Sequence, residues 1–156
     1  MTDIVLLSSY QPAKIKTVAI SGCFDILHIG HIRFITSARS KGERLVVLLE
    51  SDGFIKKYKM RQPFQTQKER AEILSHIKEV DQIVLLPLME VEITYRTMWK
   101  KVSPQIIAIT KGDTYLKEKK AQAAEIGAEV VEVTPLISGR STTIALTLNP
   151  EKGVVD

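Results

Sequence analysis

Five short aliphatic runs alternate with segments of helical length along this chain, and this alternation limits the possible folds more than any other feature. The run 44–50 is apolar between its charged end residues, as expected for a strand that is buried on both faces of a parallel sheet. The runs are residues 16–22, 44–50, 80–87, 105–110 and 129–134. The segments with helical patterns are residues 30–42, a stretch beginning at 66, 91–102, 116–128 and a short one at 141–148. This order predicts an α/β fold with right-handed crossovers and helices on both faces of the sheet.

The chain contains no internal repeat, low-complexity tract or linker that would divide it. Its 156 residues and 44% hydrophobic content suit one domain with one core. We therefore predict a single Rossmann-like, doubly wound parallel sheet of about five strands within residues 15–149. Residues 1–14 are interpreted as an N-terminal arm outside the core, which a partner chain could order, and residues 150–156 as a C-terminal tail.

Charge and cysteine content narrow the functional classes. Lys and Arg total 22 against 18 Asp and Glu, a mild excess that is not typical of a nucleic-acid binder and that a small anionic ligand would explain. The single cysteine excludes an intrachain disulfide and fits a reducing, cytoplasmic location. The apolar run Ile4–Leu7 is too short for a signal segment or a membrane span, so no membrane partner is predicted.

The loops that follow the predicted strands carry the polar residues of interest. In open α/β sheets, ligands bind beyond the carboxyl ends of the strands. This rule brings together a histidine pair after the first strand, a basic loop at 51–65, the sequence KGD at 111–113 and the sequence SGRSTT at 138–143. A loop as basic as 51–65 is expected to be mobile and to close over a substrate.

The histidine pair lies in the sequence SGCFDILHIGH, residues 21–31. His28 and His31 are three residues apart on the first predicted helical turn, so their imidazoles share one face. A helix N-terminus attracts phosphate, and Gly30 allows close approach to the backbone. Two other interpretations stay open: solvated or capping histidines, and a metal site with Cys23 and Asp25, although the usual zinc-ligand spacing is absent.

Three motifs, in order, resemble a known family. The sequence GCFDILHIGH resembles the N-terminal signature of the HxGH nucleotidylyltransferase superfamily, the cytidylyltransferase-like group. KEVDQIVLLP resembles the third-strand segment of that family, and SGRSTT resembles its late S-T-T signature, so the resemblance covers about residues 16–148. It implies an enzyme in which the phosphate of a small molecule attacks the α-phosphorus of a nucleoside triphosphate and pyrophosphate leaves, without a covalent enzyme intermediate.

The resemblance also implies a role for each matched position. His28 and His31 would donate hydrogen bonds to α- or β-phosphate oxygens, and Lys59 would face the triphosphate and the incoming phosphate. The nucleotide-binding residues expected from it are Gly22, Cys23, Phe24, Gly30, Lys111, Gly112, Asp113, Ser141, Thr142 and Thr143. The expected substrate-binding residues are Asp25, Lys57, Arg70 and Arg140, and no residue is predicted to bind a metal.

Some of these positions have a second interpretation. Asp25 is expected to cap the first helix, because an Asp side chain accepts hydrogen bonds from the free N–H groups there. Arg70 suits a basic site residue and a surface ion pair equally well. Tyr95 and Trp99, four apart on a predicted helix, are interpreted as core or interface residues.

Two subfamilies fit best, one resembling heptose-phosphate adenylyltransferase and the other glycerol-3-phosphate cytidylyltransferase. The second usually has an arginine five residues before the serine of S-T-T, where this chain has Leu136, and the KGD and RQPF segments favour the heptose type. FAD synthetase is a further alternative, and a nucleotide-binding module without turnover is an alternative of another class. The resemblance implies Mg²⁺ held through the phosphates of ATP or CTP, and a homodimer.

Overall fold

The computed structural model describes residues 2–89 and 92–134, the side chains of residues 92 and 93 excepted. The strands are β1 (Asp3–Leu6), β2 (Thr17–Gly22), β3 (Arg44–Leu49), β4 (Gln82–Leu85), β5 (Ile106–Thr110) and β6 (Glu129–Thr134). The helices are α1 (Ile29–Arg39), α2 (Asp52–Tyr58), α3 (Gln67–Ser75), α4 (Glu92–Val102) and α5 (Leu116–Ile126), with a short 3₁₀ turn at Leu7–Ser9. The predicted helix at 141–148 and the tail at 150–156 lie outside the described residues.

One parallel sheet organises the described part of the chain, in the order β1-β4-β3-β2-β5-β6. The predicted α/β, Rossmann-like class is confirmed, and the sheet has six strands where the sequence pattern indicated about five. The additional strand is β1, which pairs with β4 from Asp3↔Gln82 to Leu6↔Leu85. It escaped the sequence analysis because a four-residue edge strand contributes too few apolar residues to show a period.

The sequence predicts an arm outside the core at residues 1–14, but within it β1 pairs with the sheet and Tyr10 packs into the core. Besides the strand pairing of β1, Tyr10 is only 1% exposed and belongs to the hydrophobic core. The Arg44 guanidinium lies 5.9 Å from the centre of its ring, within range of a cation–π contact. The segment is thus held by the chain itself, at the edge of the sheet farthest from β5 and β6.

The core has two layers because successive strand side chains point to opposite faces of the sheet. On β3, Leu45, Val47 and Leu49 belong to the layer that contains Phe34 and Ile35 of α1. Val46 and Leu48 belong to the opposite layer, and Trp99 of α4, predicted as a core or interface residue, is 1% exposed in that layer. Helices therefore cover both faces, as the uninterrupted apolar strands predict.

Local signals placed several helix ends correctly. Thr66 and Glu69 form the predicted capping box at the start of α3, and α5 stops at Gly127, which has φ +69°. Gly42, expected to end the first helix, has another function: α1 ends earlier, and a Cβ at Gly42 would lie 2.7 Å from the Lys16 carbonyl oxygen.

The basic segment 51–65 is only partly a loop, contrary to the sequence analysis. Residues 52–58 form α2, which Ser51 caps by accepting a hydrogen bond from the Phe54 N–H. Phe54 and Ile55 are buried on its inner side, and these two apolar residues outweigh the charge of the neighbouring lysines. The result places Lys59 at the C-terminal end of a helix.

The strand order also fixes where a ligand can enter. From β2 the chain passes through α1 to β3 on one side, whereas β5 lies on the other side of β2. The loops that follow β2 and β5 therefore diverge and open a crevice at their carboxyl ends. No helix within the described residues is long and apolar enough to cross a membrane.

Candidate active site

The turn between β2 and α1 has an unusual backbone. Phe24 and Ile26 have φ values of 48° and 60°, in the left-handed region that non-glycine residues rarely occupy. Asp25, between them, is 1% exposed, and its carboxylate accepts hydrogen bonds from the Phe64 and Gln65 N–H groups, both at 2.9 Å. These contacts hold the strained turn in place.

The sequence predicts that Asp25 caps α1, but this prediction is wrong, because the N-cap of α1 is His28. Besides the two N–H groups, Asp25 forms an ion pair of 2.6 Å with Arg61. Burial by itself would raise the pKa of the Asp25 carboxyl, but the hydrogen bonds from Phe64, Arg61 and Gln65 hold it below its ordinary value. Asp25 is therefore charged at neutral pH and fastens the β2–α1 turn to the segment that follows Lys59.

His28 is the N-cap of α1. Its Nδ1 accepts a hydrogen bond from the Gly30 N–H at 3.1 Å, and the His31 Nδ1 accepts one from the His28 N–H at 3.2 Å. The two rings lie 3.9 Å apart between centres and are tilted by 31°. Because both Nδ1 atoms accept, these contacts assign the ring proton to Nε2 in each histidine.

Burial keeps the ring of His31 neutral at neutral pH. Burial, and secondarily the charge of His28, lower the pKa of His31 to about 4. At neutral pH His31 therefore carries one proton, and the backbone contacts place that proton on Nε2. Two neighbouring imidazoles on the first turn of a helix thus offer N–H donors beside the backbone N–H groups of that turn.

Lys59 lies between two fixed points. Its N–H donates to the Ile55 carbonyl and closes α2, while Arg61, two residues later, is tied to Asp25. The Lys59 charge lowers the pKa of both Cys23 and Glu50 against a larger effect of burial, so the ammonium lies near the carboxyl ends of β2 and β3. Lys57, a predicted substrate-binding residue, has its Nζ 5.4 Å from the centre of the Tyr58 ring.

Arg70 is wholly buried, which excludes the surface ion pair considered from the sequence. Its guanidinium donates to the carbonyl oxygens of Cys23 at 2.6 Å, Glu50 at 2.9 Å and Gln65 at 3.1 Å. It also pairs with the Asp52 carboxylate at 2.7 Å. Arg70 thus joins the ends of β2 and β3 to α2 and to the loop before α3, whereas its predicted contact with substrate stays a prediction.

The turn after β5 is ordered by Asp113. Its Oδ1 accepts from the Tyr115 N–H at 2.8 Å, and its Oδ2 accepts from the Lys119 ammonium at 2.8 Å. Gly112 has φ +80°, which favours glycine by itself, and no atom of the described residues lies within 4 Å of the position that a Cβ would take there. The predicted nucleotide-binding roles of Lys111, Gly112 and Asp113 stay predictions, and Arg140, Ser141, Thr142 and Thr143 lie outside the described residues.

The residues just before the histidines form the floor of the site. Phe24 is 4% exposed and lies in the core, with its ring 5.3 Å from that of His31. A Cβ at Gly22 would lie 3.0 Å from that phenyl ring, so a larger residue there would require the ring to shift. Burial raises the pKa of the Cys23 thiol to about 11, which keeps it protonated and unsuited to act as a nucleophile.

Sequence reasoning missed one polar group at the site, Glu50. It directly follows β3, is 5% exposed, and accepts a hydrogen bond from the Tyr95 hydroxyl at 3.0 Å. Burial raises the pKa of its carboxyl to about 7 despite the opposing effects of Tyr95 and nearby cations. The available signal was a carboxylate at the end of the otherwise apolar strand RLVVLLE.

Known proteins share both the sequence pattern and the fold of this chain. It is 37% identical over 134 residues to the bifunctional protein HldE of Campylobacter concisus, covering 85% of this chain and 27% of that protein. It is also 36% identical over 124 residues to the FAD synthase of Thermococcus sibiricus, covering 77% of this chain and 80% of that enzyme. The chain therefore spans about a quarter of the length of the HldE proteins that it matches.

A solved structure supports the fold. The lipopolysaccharide core biosynthesis protein of Thermoplasma volcanium GSS1 superposes with a TM-score of 0.67 at 24% identity, covering 79% of this chain and 99% of that one. Residues 19–151 match the family described as cytidylyltransferase-like. The family and the relatives together indicate an enzyme of the nucleotidyltransferase class, as the resemblance implied. This chain belongs to the cytidylyltransferase-like family.

Proposed function

We propose that the protein transfers a nucleoside monophosphate from ATP or CTP to the phosphate of a small phosphorylated molecule. A phosphate oxygen of the acceptor attacks the α-phosphorus, the bond between that phosphorus and the bridging oxygen breaks, and pyrophosphate leaves. The observation that carries the proposal is the His28–His31 pair, in which backbone contacts hold both Nδ1 atoms as acceptors and assign the protons to Nε2.

In this proposal the protein works by position and charge rather than by covalent chemistry. The two Nε2–H groups donate to oxygens of the triphosphate, where negative charge grows as the reaction proceeds. The Lys59 ammonium neutralises charge on the triphosphate and on the incoming phosphate, and the ties of Arg61 to Asp25 hold its segment beside the histidines. The protonated Cys23 takes no part as a nucleophile.

Mg²⁺ enters the proposal as an ion carried by the phosphates of the nucleotide. The residues present fit that arrangement: Asp25 is occupied by Arg61 and two N–H groups, and Asp113 by Lys119 and one N–H group. Among the described residues no group of three or more His, Cys, Asp or Glu could hold a metal ion. When bound, Mg²⁺ neutralises part of the charge on the triphosphate.

The acceptor that we propose first is a heptose 1-phosphate, with ATP as donor, in line with the sequence resemblance and with the HldE relatives. The FAD synthase relatives support FMN as acceptor to an equal degree, since their identities to this chain are similar. Glycerol 3-phosphate with CTP is the remaining candidate of this class. A homodimer and a cytoplasmic location stay predictions.

The test is product formation by the purified chain with Mg²⁺ and either ATP or CTP. Heptose 1-phosphate, FMN and glycerol 3-phosphate are each supplied, pyrophosphate release is measured, and products are identified by mass spectrometry. We expect one nucleotide and one acceptor to give a nucleotidylated product with stoichiometric pyrophosphate. Nucleotides that raise the melting temperature without pyrophosphate release with any acceptor would instead identify a non-catalytic nucleotide-binding module.

A further inference from the structure

At the carboxyl end of β3, only one of the two oxygens of the Glu50 carboxyl has a hydrogen-bond partner among the described residues. Its Oε1 accepts from the Tyr95 hydroxyl at 3.0 Å. Its Oε2 is sealed from solvent and has no hydrogen-bond partner in the described part of the chain. An unsatisfied polar atom in such a position costs about 1–3 kcal/mol, so a purely structural role would favour an apolar residue here, as at the preceding positions of the strand.

The cations around Glu50 are committed elsewhere. The charges of Lys119, Arg70 and Lys59 act on its carboxyl and lower its pKa. The Lys119 ammonium, however, pairs with Asp113 at 2.8 Å, and the Arg70 guanidinium donates to main-chain oxygens and to Asp52. Among the described residues Glu50 therefore forms no ion pair with these neighbours, and its second oxygen remains without a hydrogen-bond donor.

The position of Glu50 relates it to the acceptor. Glu50 precedes Ser51, the N-cap of α2, and Lys59 directly follows α2, so the two residues lie at opposite ends of one short helix. Tyr115, which is 46% exposed, lies near the same carboxyl, since the charge of Glu50 raises the pKa of Tyr115 after the larger effect of burial. A carboxylate repels phosphate, so it suits the uncharged, hydroxyl-bearing part of an acceptor whose phosphate faces Lys59.

We propose that Glu50 is a specificity-determining residue whose Oε2 accepts a hydrogen bond from a hydroxyl of the phosphorylated acceptor, while Tyr95 holds Oε1. This inference rests on the proposed function and adds to it the requirement that the acceptor carry a hydroxyl away from its phosphate. Buried polar groups that lose their partner discriminate strongly against analogues that lack the matching group. Glu50 thus selects among phosphorylated molecules that the histidines and Lys59 would treat alike.

The experiment compares wild type, Glu50→Gln and Tyr95→Phe with the acceptor that gives product, together with its monodeoxy analogues. Glu72→Gln, an exposed residue of α3, is the matched control. We expect Glu50→Gln to lower kcat/KM for the acceptor about 10- to 100-fold and to leave KM for the nucleotide within about twofold. Removal of one particular hydroxyl should cost the wild type a similar factor and cost Glu50→Gln little. Tyr95→Phe should show a smaller loss in the same direction.

The outcomes separate this inference from the proposed function. Absence of product with every acceptor overturns the proposed function and this inference with it. Product formation with an unchanged acceptor kcat/KM in Glu50→Gln overturns the role of Glu50 alone. If Glu50→Gln does not fold, the wild-type deoxy series decides, because equal rates for the parent acceptor and all its monodeoxy analogues would contradict recognition of a hydroxyl.

Discussion

At the scale of single residues, the histidine pair shows how one side chain serves folding and chemistry together. Each Nδ1 accepts a backbone N–H and so satisfies a donor that the start of α1 leaves open. The same contacts fix the tautomer, which assigns the proton to Nε2. The sequence presents capping and phosphate binding as alternatives. The two roles are compatible, because they use different atoms of the ring.

This separation allows a variant that keeps the cap and removes the donor. Asparagine is among the best N-cap residues, so His28→Asn should leave α1 intact and the melting temperature within about 3 °C of wild type. We expect kcat to fall by about 10²–10³, as for the loss of one oxyanion donor. Pyrophosphate release under saturating substrates measures this effect, with His76→Asn at the end of α3 as the control. Unchanged kcat in His28→Asn would contradict the assigned role.

The lowered pKa of His31 predicts that the free energy of unfolding depends on pH. Its folded pKa is about 4 against an ordinary value of 6.5, so on acidification the unfolded chain takes up the proton first. Stability is therefore lost as the pH falls from 6.5 towards 4. Glu50 acts oppositely, because its pKa of about 7 lies above its ordinary value of 4.5 and favours the folded state between those values as the pH falls.

The comparison of His31→Gln with wild type isolates the histidine, since Glu50 is present in both. Glutamine at this position preserves the reciprocal capping contact. In urea unfolding at pH 7.5 and pH 5, we expect the wild type to lose about 1–2 kcal/mol more than the variant. Equal losses of unfolding free energy in wild type and His31→Gln would show that His31 is not held neutral.

At the scale of secondary-structure elements, the site is assembled from loops that follow neighbouring strands of the sheet. Arg70 reaches from α3 to the residues that directly follow β2 and β3, and Asp25 reaches from the β2–α1 turn to the segment after α2. Both groups are buried and charged, and both have nearly all their partners in the main chain of loops. These loops are thereby fixed without regular secondary structure.

Removal of the Arg70 guanidinium should therefore affect stability first. Arg70→Met leaves the Asp52 carboxylate and three carbonyl oxygens without that partner, and we expect a loss of about 3–5 kcal/mol in the free energy of unfolding. Arg33→Met, at an exposed position of α1, should change it by less than about 0.5 kcal/mol. Equal unfolding free energies for the two variants would contradict this role.

At the scale of the whole molecule, residues 2–10 add to the core on the side away from the crevice. Tyr10 fills the layer between the sheet and α4, whereas β1 lies three strands away from β2 in the sheet. Stability and activity should thus separate along the sheet. The edge strand supports the fold, and the crevice beside β2 and β5 carries the chemistry.

Tyr10→Ala tests that separation. Loss of a buried aromatic ring should lower the free energy of unfolding by about 3–5 kcal/mol. Below the melting transition, kcat and both KM values should stay within about twofold of wild type, because the ring lies outside the crevice. Ile4→Ala, at a 43% exposed position of β1, should cost far less stability. A large change in KM in Tyr10→Ala would show that the edge and the site are coupled.

Much of this architecture could be predicted from local patterns in the sequence. The runs 44–50 and 105–110 are apolar enough to be buried strands, and the capping box at Thr66 and Glu69 marks a helix start without reference to any contact. The α2 helix was missed because it has only two buried residues, Phe54 and Ile55, beside its two lysines. Burial of those two side chains depends on the sheet beneath them, which no local window contains.

The sequence by itself determined the parallel sheet, the helix that carries the histidines, and the rim where the polar loops meet, because strand and helix periods are properties of neighbouring residues. Only the tertiary structure decided the partners of Asp25, Arg70 and Glu50. Each of these side chains is buried at a junction of segments that are 15 or more residues apart in the chain, and the cost of burying a charge or polar group is set by which partners the fold brings to it.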